Sequence, residues 1–452
     1  MTFRVITGGR DEVAERGLLV RGASEIATLA GGLRAGSEQA NVASLARSAA
    51  DGSAGEGPVV AIWDDVIAAV GQLDEVRSEL AGRDLRLERF TQLDAAGGCV
   101  TPGLVDPHTH LLFAGTREGE LRLRQRGAGY LEILAAGGGI LSTVSATRSA
   151  TSDELLTHGR RWLHEMLTHG VTTIEAKTGY GLDVATELRL LEVYALLADE
   201  GPIDIVPTFL GAHAVPPEFR DRDDAVDAYV GHVIDEQLPA VAAQGIARFC
   251  DVFCEEGVFD SDQSRRILEA ASKLGLRTRL HADELAASGG AELAADIGAA
   301  SADHLAAVSD DGVAALALAA RTGRPVVATL LPATTWFLMS SHFSPARTLI
   351  ERGVPVALGT DFNPGTSPTA SLPLAMTIGC LSLGLSPEEA LAAITVNAAH
   401  AVGRGDEIGS LEPGKLADLV IWRVPSVAQI PYWPGADLVR AVVKGGRIVL
   451  GG

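Results

Sequence analysis

Gly103-Leu104-Val105-Asp106-Pro107-His108-Thr109-His110 is a short apolar run that ends in two histidines separated by one residue. Because successive side chains of a strand point to opposite faces, His108 and His110 are expected to share one face, roughly 6.6 Å apart. Two neutral imidazoles at that spacing suit a transition metal such as zinc or iron. A pair of ordinary surface or capping histidines is the alternative, since so short a motif also arises by chance.

From residue 101 onward the sequence alternates between short apolar runs and helical patterns. Seven further strand-like runs follow the first, at 171–176, 203–210, 249–254, 276–281, 300–304, 325–331 and 354–360. A capping-box pattern at Thr151-Ser152-Asp153-Glu154 predicts that a helix starts there. Eight strands with intervening helices predict a (β/α)₈ barrel. A doubly wound open sheet is the alternative, but no glycine-rich dinucleotide loop follows the first strand.

The two ends of the chain carry a different pattern. Strand-like runs lie before and after the barrel, at 17–21, 58–63, 417–422 and 439–444. We expect these runs to pair as one small β-sandwich domain built from both chain ends. The predicted boundaries are 1–100 and 404–452 for this domain and 101–403 for the barrel. Residues 33–57 are rich in Gly, Ala and Ser without an apolar period, which predicts a mobile surface insertion.

Composition and charge exclude several classes of partner. The 452-residue chain has a formal net charge of −21, so it offers no broad basic field for nucleic acid or an anionic membrane. No apolar run has the length of a signal peptide core or of a transmembrane span. The four cysteines do not follow a zinc-ribbon or disulfide pattern and are expected to be small, buried, reduced thiols. We therefore expect a cytoplasmic protein.

Ionisable residues close almost every predicted strand of the barrel. In such barrels the catalytic side chains project from the C-terminal strand ends towards one mouth. The residues at or just beyond these ends are His108, His110, Lys177, His213, Glu255, His281, His304 and Asp361. Many of them are potential metal ligands, and scattered histidines would not fall so regularly at strand ends. The pattern favours a metal-dependent hydrolase.

Two of these strand ends carry further acid–base and metal-binding candidates. In His281-Ala282-Asp283-Glu284, His281 ends a strand and can bind a metal, and Glu284 lies within reach of a metal-bound water. A carboxylate there can take the proton of the water and later give it to the leaving nitrogen. The alternative for Glu284 is a charge in the first turn of a helix. Asp361 offers a carboxylate to the metal.

Three loop positions and one arginine are candidates for binding a polar substrate. Asn363, the backbone at Gly365 and Thr366 can face a substrate, although Asn363-Pro364-Gly365-Thr366 is also a typical turn. Arg117 lies seven residues past His110 and can hold a carboxylate through a bidentate pair. A solvated surface arginine is the ordinary alternative.

Four motifs together resemble the amidohydrolase superfamily. They are His108-Thr109-His110, His281-Ala282-Asp283-Glu284, Ser301-Ala302-Asp303-His304 and Gly359-Thr360-Asp361. Longer blocks resemble the imidazolonepropionase family within it. These blocks are 106–115, Ala135-Ala136-Gly137-Gly138-Gly139-Ile140, Lys177-Thr178-Gly179-Tyr180-Gly181-Leu182, Thr208-Phe209-Leu210-Gly211-Ala212-His213 and 361–366. The resemblance extends from about residue 97 to 450.

The resemblance implies a set of roles. It assigns one zinc or iron ion per subunit to His108, His110, His281 and Asp361. It assigns the deprotonation of the attacking water to Glu284, with His304 as a polar partner of the water or of the ring oxygen. Substrate contacts are implied for Arg117, Tyr180, His213, Glu284, Asn363, Gly365 and Thr366.

The activity implied by the resemblance is hydrolysis of the ring C–N bond of 4-imidazolone-5-propanoate to N-formimidoyl-L-glutamate in histidine degradation. Arg117 would pair with the propionate of this small-molecule substrate. The expected assembly is a homodimer. A lysine that bridges two metals belongs on strand four of this superfamily, whereas Lys177 falls on strand two and strand four ends at Glu255, so a single metal is expected. The rival hypotheses are a deaminase of a purine, pyrimidine or related ring, and a non-catalytic barrel that serves as an assembly or binding module.

Overall fold

The computed structural model describes residues 17–46, 57–127 and 138–452, and an eight-stranded parallel sheet forms its centre. Each strand pairs with the next along the chain, and the eight strands are Leu104–Asp106, Val171–Lys177, Asp204–Ala212, Phe249–Cys254, Arg277–Ala282, Ser301–His304, Val327–Leu330 and Val356–Leu358. Beyond the first and eighth strands, Thr109 pairs with Phe362. The backbone nitrogen of His110 donates to the Phe362 carbonyl (2.9 Å), which brings the two edges together. The predicted (β/α)₈ barrel is confirmed.

Helices cover the barrel. In the described part of the chain, the helices that follow the first strand are Glu118–Gln125, Ile140–Ser149, Ser152–Thr168, Val184–Glu200, Pro217–Arg220, Ala225–His232, Leu238–Gln244, Ser261–Lys273, Gly290–Ile297, Asp310–Arg321, Pro332–Phe337, Ala346–Glu351, Leu372–Ser382, Pro387–Ala393 and Val396–Ala401. A π-helical turn, Val233–Gln237, joins two of them. Thr151 caps the third helix by accepting from Glu154 N, while the Glu154 carboxylate accepts from Thr151 N. The capping box therefore starts this helix where the sequence predicts it.

Two further sheets form a sandwich beside the barrel. One contains Gly17–Arg21, Pro58–Trp63, Val66–Gln72 and Phe90–Asp94, and the other contains Glu25–Ala27, Ser44–Ala46, Cys99–Pro102, Leu419–Trp422, Val439–Lys444 and Arg447–Gly451. Leu419–Trp422 pairs antiparallel with Cys99–Pro102, so strands from both chain ends share one sheet. Val20, Ile62, Leu419 and Val443 pack between the two sheets and are buried. The boundaries at residues 100 and 403 stay predictions.

Smaller elements complete the described chain. They are the helix Leu73–Ala81 and the 3₁₀ turns Gly36–Ala40, Leu87–Arg89 and Val427–Gln429. The four cysteines are free thiols, and three of them are buried as expected, whereas Cys380 is only partly buried. Within residues 17–46, 57–127 and 138–452, no helix has the length and apolar character that a membrane crossing requires.

The prediction of a mobile insertion at 33–57 is wrong for its first part. Gln39 is fully buried, and its side-chain amide donates to the backbone oxygen of Val356 in the eighth barrel strand (2.8 Å). Asn397 donates to the Arg34 carbonyl (2.9 Å) and to the Gln39 side chain (3.0 Å). Polar side chains hold this segment to the barrel, and such contacts leave no apolar period in the sequence. Residues 47–56 lie outside the described residues.

The expectation that His108 and His110 lie on the first strand is also wrong, because the strand ends at Asp106. Pro107 has no backbone N–H to contribute to a ladder. The chain nevertheless stays extended beside its neighbours, because Asp361 N donates to His108 O (3.0 Å) and Lys177 N donates to Thr109 O (2.9 Å). Both histidines therefore project at the barrel mouth from a segment just beyond the strand.

Candidate metal centre

The four predicted metal ligands come together at the C-terminal mouth of the barrel. His108 Nε2 lies 3.5 Å and His110 Nε2 lies 3.4 Å from the same oxygen, Asp361 Oδ1. The His281 ring lies 4.6 Å from the His108 ring, measured between centroids. All four side chains are buried. Residues from the first, fifth and eighth strand ends therefore meet at one point.

These donors fit one divalent metal ion. Ligands about 2.1 Å from such an ion stand roughly 3.4 Å apart, which matches the two observed separations. Among the described residues, Nε2 of His108 and Nε2 of His281 are buried without a hydrogen-bond partner. An unsatisfied buried acceptor destabilises the fold, and a bound cation would satisfy both nitrogens.

Carboxylates behind two of the histidines orient their rings. Asp303 Oδ2 lies 2.7 Å from His108 Nδ1, and Asp251 Oδ1 lies 3.1 Å from His281 Nδ1. Burial alone would raise the pKa of Asp303, but Arg279 and Lys177 outweigh it and lower that pKa, so the carboxylate is ionised. An ionised partner accepts the Nδ1 proton and leaves the Nε2 lone pair for a metal. Thr334 Oγ1 similarly donates to Asp361 Oδ2 (2.6 Å).

Burial keeps His108, His110 and His213 neutral. It lowers the pKa of His108, of His110 and of His213 well below the usual value, with smaller contributions from neighbouring positive groups. Neutral imidazole is the form that binds metals. The site is therefore prepared for a cation without the loss of further protons from these rings.

Glu284 lies beside the donors in a loop, six residues before the next helix begins at Gly290. It is therefore not a first-turn helix charge. Burial raises the pKa of Glu284 well above the usual value, and the charges of Asp361 and Glu255 raise it further. A cation at the neighbouring donors would oppose this rise, because opposite charge favours the ionised carboxylate.

Glu255 closes the fourth strand and was a candidate for the site, but it holds the Glu284 loop instead. Its carboxylate accepts from the backbone nitrogens of Glu284 (2.9 Å), Leu285 (2.9 Å) and Ala286 (3.0 Å) and from Ser288 Oγ (2.8 Å). Asp283 accepts from the backbone of residues 288, 290 and 291 and so anchors the other end of the loop to the helix. The position of Glu284 is fixed by these two carboxylates.

His304 faces Glu284, with its Nε2 3.6 Å from Glu284 Oε2. Burial lowers the pKa of His304 to about 3. Among the described residues this Nε2 has no hydrogen-bond partner. The backbone of His304 and of Asp361 is strained, with φ of 74° and 51°, and such strain is characteristic of functional sites.

Arg117 presents its guanidinium to the same cavity. Its Nε and Nη2 donate to the two oxygens of Glu120, each at 2.9 Å, and only 6% of the side chain is exposed. Glu120 also accepts from Gly139 N (2.7 Å), which ties the loop beyond the helix to this pair. At Gly365 an added Cβ would lie 2.1 Å from Arg117 Nη1. The missing side chain of Gly365 therefore makes room for the guanidinium, and Arg117 is not a solvated surface residue.

His213 and Tyr180 form another wall. The His213 ring stacks on that of His110 with centroids 5.0 Å apart, and Tyr180 lies 5.7 Å from His110. His213 Nδ1 lies 3.0 Å from the Gly179 carbonyl. Gly179 has φ of 99°, and a Cβ there would come within 2.8 Å of the His213 ring. This explains why the Lys177–Leu182 block has a glycine next to Tyr180.

The loop after Asp361 is a turn whose members also line the cavity. The Asn363 side chain donates to the Asp361 carbonyl (2.7 Å) and accepts from Gly365 N (2.8 Å) and Thr366 N (2.7 Å). The turn and the substrate-binding interpretations of this loop are thus compatible. The Gly365 N–H is already bonded, so what the position offers the site is its closeness to Arg117.

One cavity of about 410 Å³ joins these groups. It is lined by His110, Arg117, Ile140, Tyr180, His213, Phe253, His281, Glu284, His304, Asp361, Asn363 and Thr366. Of the predicted site residues, His108 and Gly365 do not line this cavity. Residues 128–137, which include part of the Ala135–Ile140 block, lie outside the described residues.

Sequence reasoning missed the residues that orient the site. Asp251 and Asp303 received no role, and neither did Glu120. One of them carries a recognisable signal, because Asp251 is an acidic residue inside the otherwise apolar strand Phe249–Cys254. A buried carboxylate needs a partner, so such positions mark hidden ion pairs.

Known proteins resemble this chain over nearly its whole length. A model of the amidohydrolase family matches residues 114–450. An imidazolonepropionase from Geobacillus kaustophilus strain HTA426 is 50% identical over 435 residues, covering 96% of this chain and 98% of that protein. Another from Alkaliphilus metalliredigens strain QYMF is 48% identical over 392 residues, covering 86% and 90%.

Solved structures share the fold. A zinc-bound adenosine deaminase from Xanthomonas campestris superposes with a TM-score of 0.64 at 19% identity, covering 96% of this chain and 93% of that one. At this identity the likeness concerns the barrel and its accompanying sheets alone.

Proposed function

The chain belongs to the imidazolonepropionase family of amidohydrolases, and we propose that its barrel cavity opens the ring of 4-imidazolone-5-propanoate to give N-formimidoyl-L-glutamate. This family and its hydrolase activity are the ones that the sequence motifs imply. The observation that carries the residue assignments is one cavity lined by three of the four proposed metal donors and by a buried arginine side chain. The substrate has matching ends, a ring carbonyl and a carboxylate.

We propose that His108, His110, His281 and Asp361 hold one zinc or iron ion. Such an ion would acidify a bound water and polarise the ring carbonyl. Support comes from the donor separations of 3.4 and 3.5 Å and from the unpartnered, buried Nε2 atoms. His, His, His and carboxylate donors suit zinc and iron equally, so metal analysis must decide between them.

Glu284 moves the proton in this proposal. It accepts a proton from the attacking water as the new C–O bond forms, and it donates that proton to the ring nitrogen as the C–N bond breaks. A carboxyl group whose pKa is raised towards the working pH can perform both transfers. His304, 3.6 Å from Glu284, would hydrogen-bond the water or the carbonyl oxygen.

Arg117 fixes the far end of the substrate. Glu120 holds the Nε–Nη2 edge of its guanidinium, so the substrate carboxylate would approach the remaining N–H groups. Tyr180, His213, Asn363 and Thr366 line the space between the two ends. We propose that they contact the ring and its polar substituents and thereby orient the carbonyl.

A substrate screen tests the proposal. Purified protein loaded with zinc or iron should convert imidazolonepropionate to N-formimidoylglutamate at neutral pH, followed by the loss of substrate absorbance. The same preparation should release no ammonia from aminopurines or aminopyrimidines, which separates it from the deaminases of this fold. Loaded protein that leaves imidazolonepropionate unchanged would contradict the assignment.

A further inference from the structure

Lys177 is a buried charge that the proposed mechanism does not use. It is one of only four lysines in the chain, and it ends the second barrel strand with no exposed surface. Its Nζ lies 2.6 Å from Asp251 Oδ2, 2.9 Å from Glu175 Oε1 and 3.6 Å from Asp303 Oδ2. A buried ammonium with three carboxylate neighbours is costly to assemble, which calls for a function.

Each of the three carboxylates contacts the segment or ring of a metal-ligand candidate. Asp251 Oδ1 lies 3.1 Å from both the Nδ1 and the backbone nitrogen of His281. Asp303 Oδ2 lies 2.7 Å from His108 Nδ1. Glu175 Oε2 accepts from the backbone nitrogen of Thr109 (3.4 Å), the residue between His108 and His110. One ammonium therefore stands behind the rings of two proposed ligands, His108 and His281, and behind the segment that carries His110.

We propose that Lys177 is a positioning residue that sets the metal affinity of the centre by holding these three carboxylates in place. The inference rests on the ligand set proposed above. Without the ammonium, three buried carboxylates would face Arg279 alone, and their mutual repulsion would turn them away from the histidines. The rings would then lose the partners that direct Nε2 to the metal.

The geometry accounts for a lysine here in a chain in which arginine is far commoner. An ammonium donates in three directions from one nitrogen, as three separate carboxylates require, whereas a guanidinium is a planar fork. Arg279 belongs to the same cluster, and its planar guanidinium donates through Nη2 to Pro107 O (2.6 Å) and Asp303 Oδ2 (3.1 Å). The two cations are therefore not interchangeable.

Zinc affinity of the metal-free protein provides the test. The dissociation constant is measured by competition with a chromophoric chelator, with far-ultraviolet circular dichroism as the check on folding. Lys177→Met is expected to weaken zinc binding about 10- to 100-fold, the usual effect of losing an outer-shell partner. Lys444→Met is the matched control, because Lys444 Nζ also pairs with two carboxylates, Asp204 and Asp418, each at 2.7 Å, but where the sandwich meets the N-terminal end of the third barrel strand. Its zinc affinity should equal that of the wild type.

The cobalt(II)-substituted protein gives a second readout. The visible absorption of bound cobalt reports ligand geometry, and it should change in Lys177→Met but not in Lys444→Met. If Lys177→Met does not fold, Lys177→Arg takes its place, because it keeps the charge but not the three-way geometry. It should bind zinc at least tenfold more weakly.

Three outcomes are informative: two would overturn the inference about Lys177, and one would refute the proposed ligand set instead. Wild-type affinity in the folded Lys177 variant overturns the inference. Equal weakening in the Lys177 and Lys444 variants also overturns it, since the effect would then be a general loss of stability. Failure of the wild-type protein itself to bind one zinc ion would instead refute the proposed ligand set.

Discussion

Replacing Gly365 with alanine should impair substrate binding while leaving the chemistry intact. The added Cβ would lie 2.1 Å from Arg117 Nη1 and 2.3 Å from Arg117 Cζ. Carbon atoms normally stay about 3.5 Å or more from their neighbours, so the guanidinium must retreat by more than about 1 Å. It has little room to do so, because two 2.9 Å bonds hold it to Glu120 and its side chain is nearly buried.

The expected change in KM follows from the hydrogen bond between Arg117 and the propionate that would be lost. A hydrogen bond to a charged group contributes about 1.5–3 kcal/mol, and about 1.4 kcal/mol corresponds to a factor of ten. A displaced guanidinium that no longer meets the propionate should therefore raise KM roughly 10- to 150-fold. The turnover number should change by only a few fold, because the interaction is present in both the bound substrate and the transition state.

Steady-state kinetics on imidazolonepropionate test this expectation. Gly119→Ala is the matched control, because Gly119 lies on the helix that follows Arg117 and a Cβ there meets nothing within 4 Å. That variant should keep the wild-type KM. An unchanged KM in folded Gly365→Ala would refute the role of Arg117 as the propionate partner. A fall in turnover alone would place the Gly365 loop in the chemical step instead.

Three further substitutions separate the parts of the site. Glu284→Gln should lower kcat by about 10²- to 10⁴-fold with little change in KM, since it removes only the proton carrier, and full turnover in this variant would refute that role. Glu120→Gln should raise KM about tenfold or more by releasing Arg117, while Glu118→Gln on the exposed face of the same helix should leave KM unchanged. Identical kinetics of the two variants would refute the role of Glu120 in holding Arg117. Thr334→Val removes the donor to Asp361 Oδ2 (2.6 Å) and should weaken zinc binding about tenfold in a chelator competition, whereas wild-type affinity would show that Asp361 needs no such support.

Much of the barrel was predictable because its signals are local. An apolar run of strand length ending in a polar residue marks both a buried strand and its functional end, and all eight predicted strands end within two residues of those observed. The candidate ligands followed from the same pattern, because parallel strands bring their C-terminal ends to one mouth.

The groups that orient the site were not predictable in the same way. Asp251, Asp303 and Glu120 act on residues 30, 195 and 3 positions away, and only the last distance lies within a local sequence window. The partner of a buried carboxylate depends on which strands become neighbours. The prediction for the segment around Gln39 was wrong for a related reason. The side-chain amide of Gln39 donates a hydrogen bond to a strand more than 300 residues further along the chain.

Some expectations remain predictions. The homodimer, the choice between zinc and iron, and the domain boundaries at residues 100 and 403 all belong to this group. Gel filtration with light scattering addresses the first, and elemental analysis addresses the second.

Metal content and turnover measured on the same sample test the central claim most directly. The metal-free protein is titrated with zinc or iron, and the hydrolysis of imidazolonepropionate is followed at each step. Activity should rise in proportion to bound metal and level off at one ion per chain. His281→Ala should show neither the rise in activity nor the plateau at one bound ion. Full hydrolysis by metal-free protein, or saturation at two ions per chain, would contradict a single metal centre built from His108, His110, His281 and Asp361.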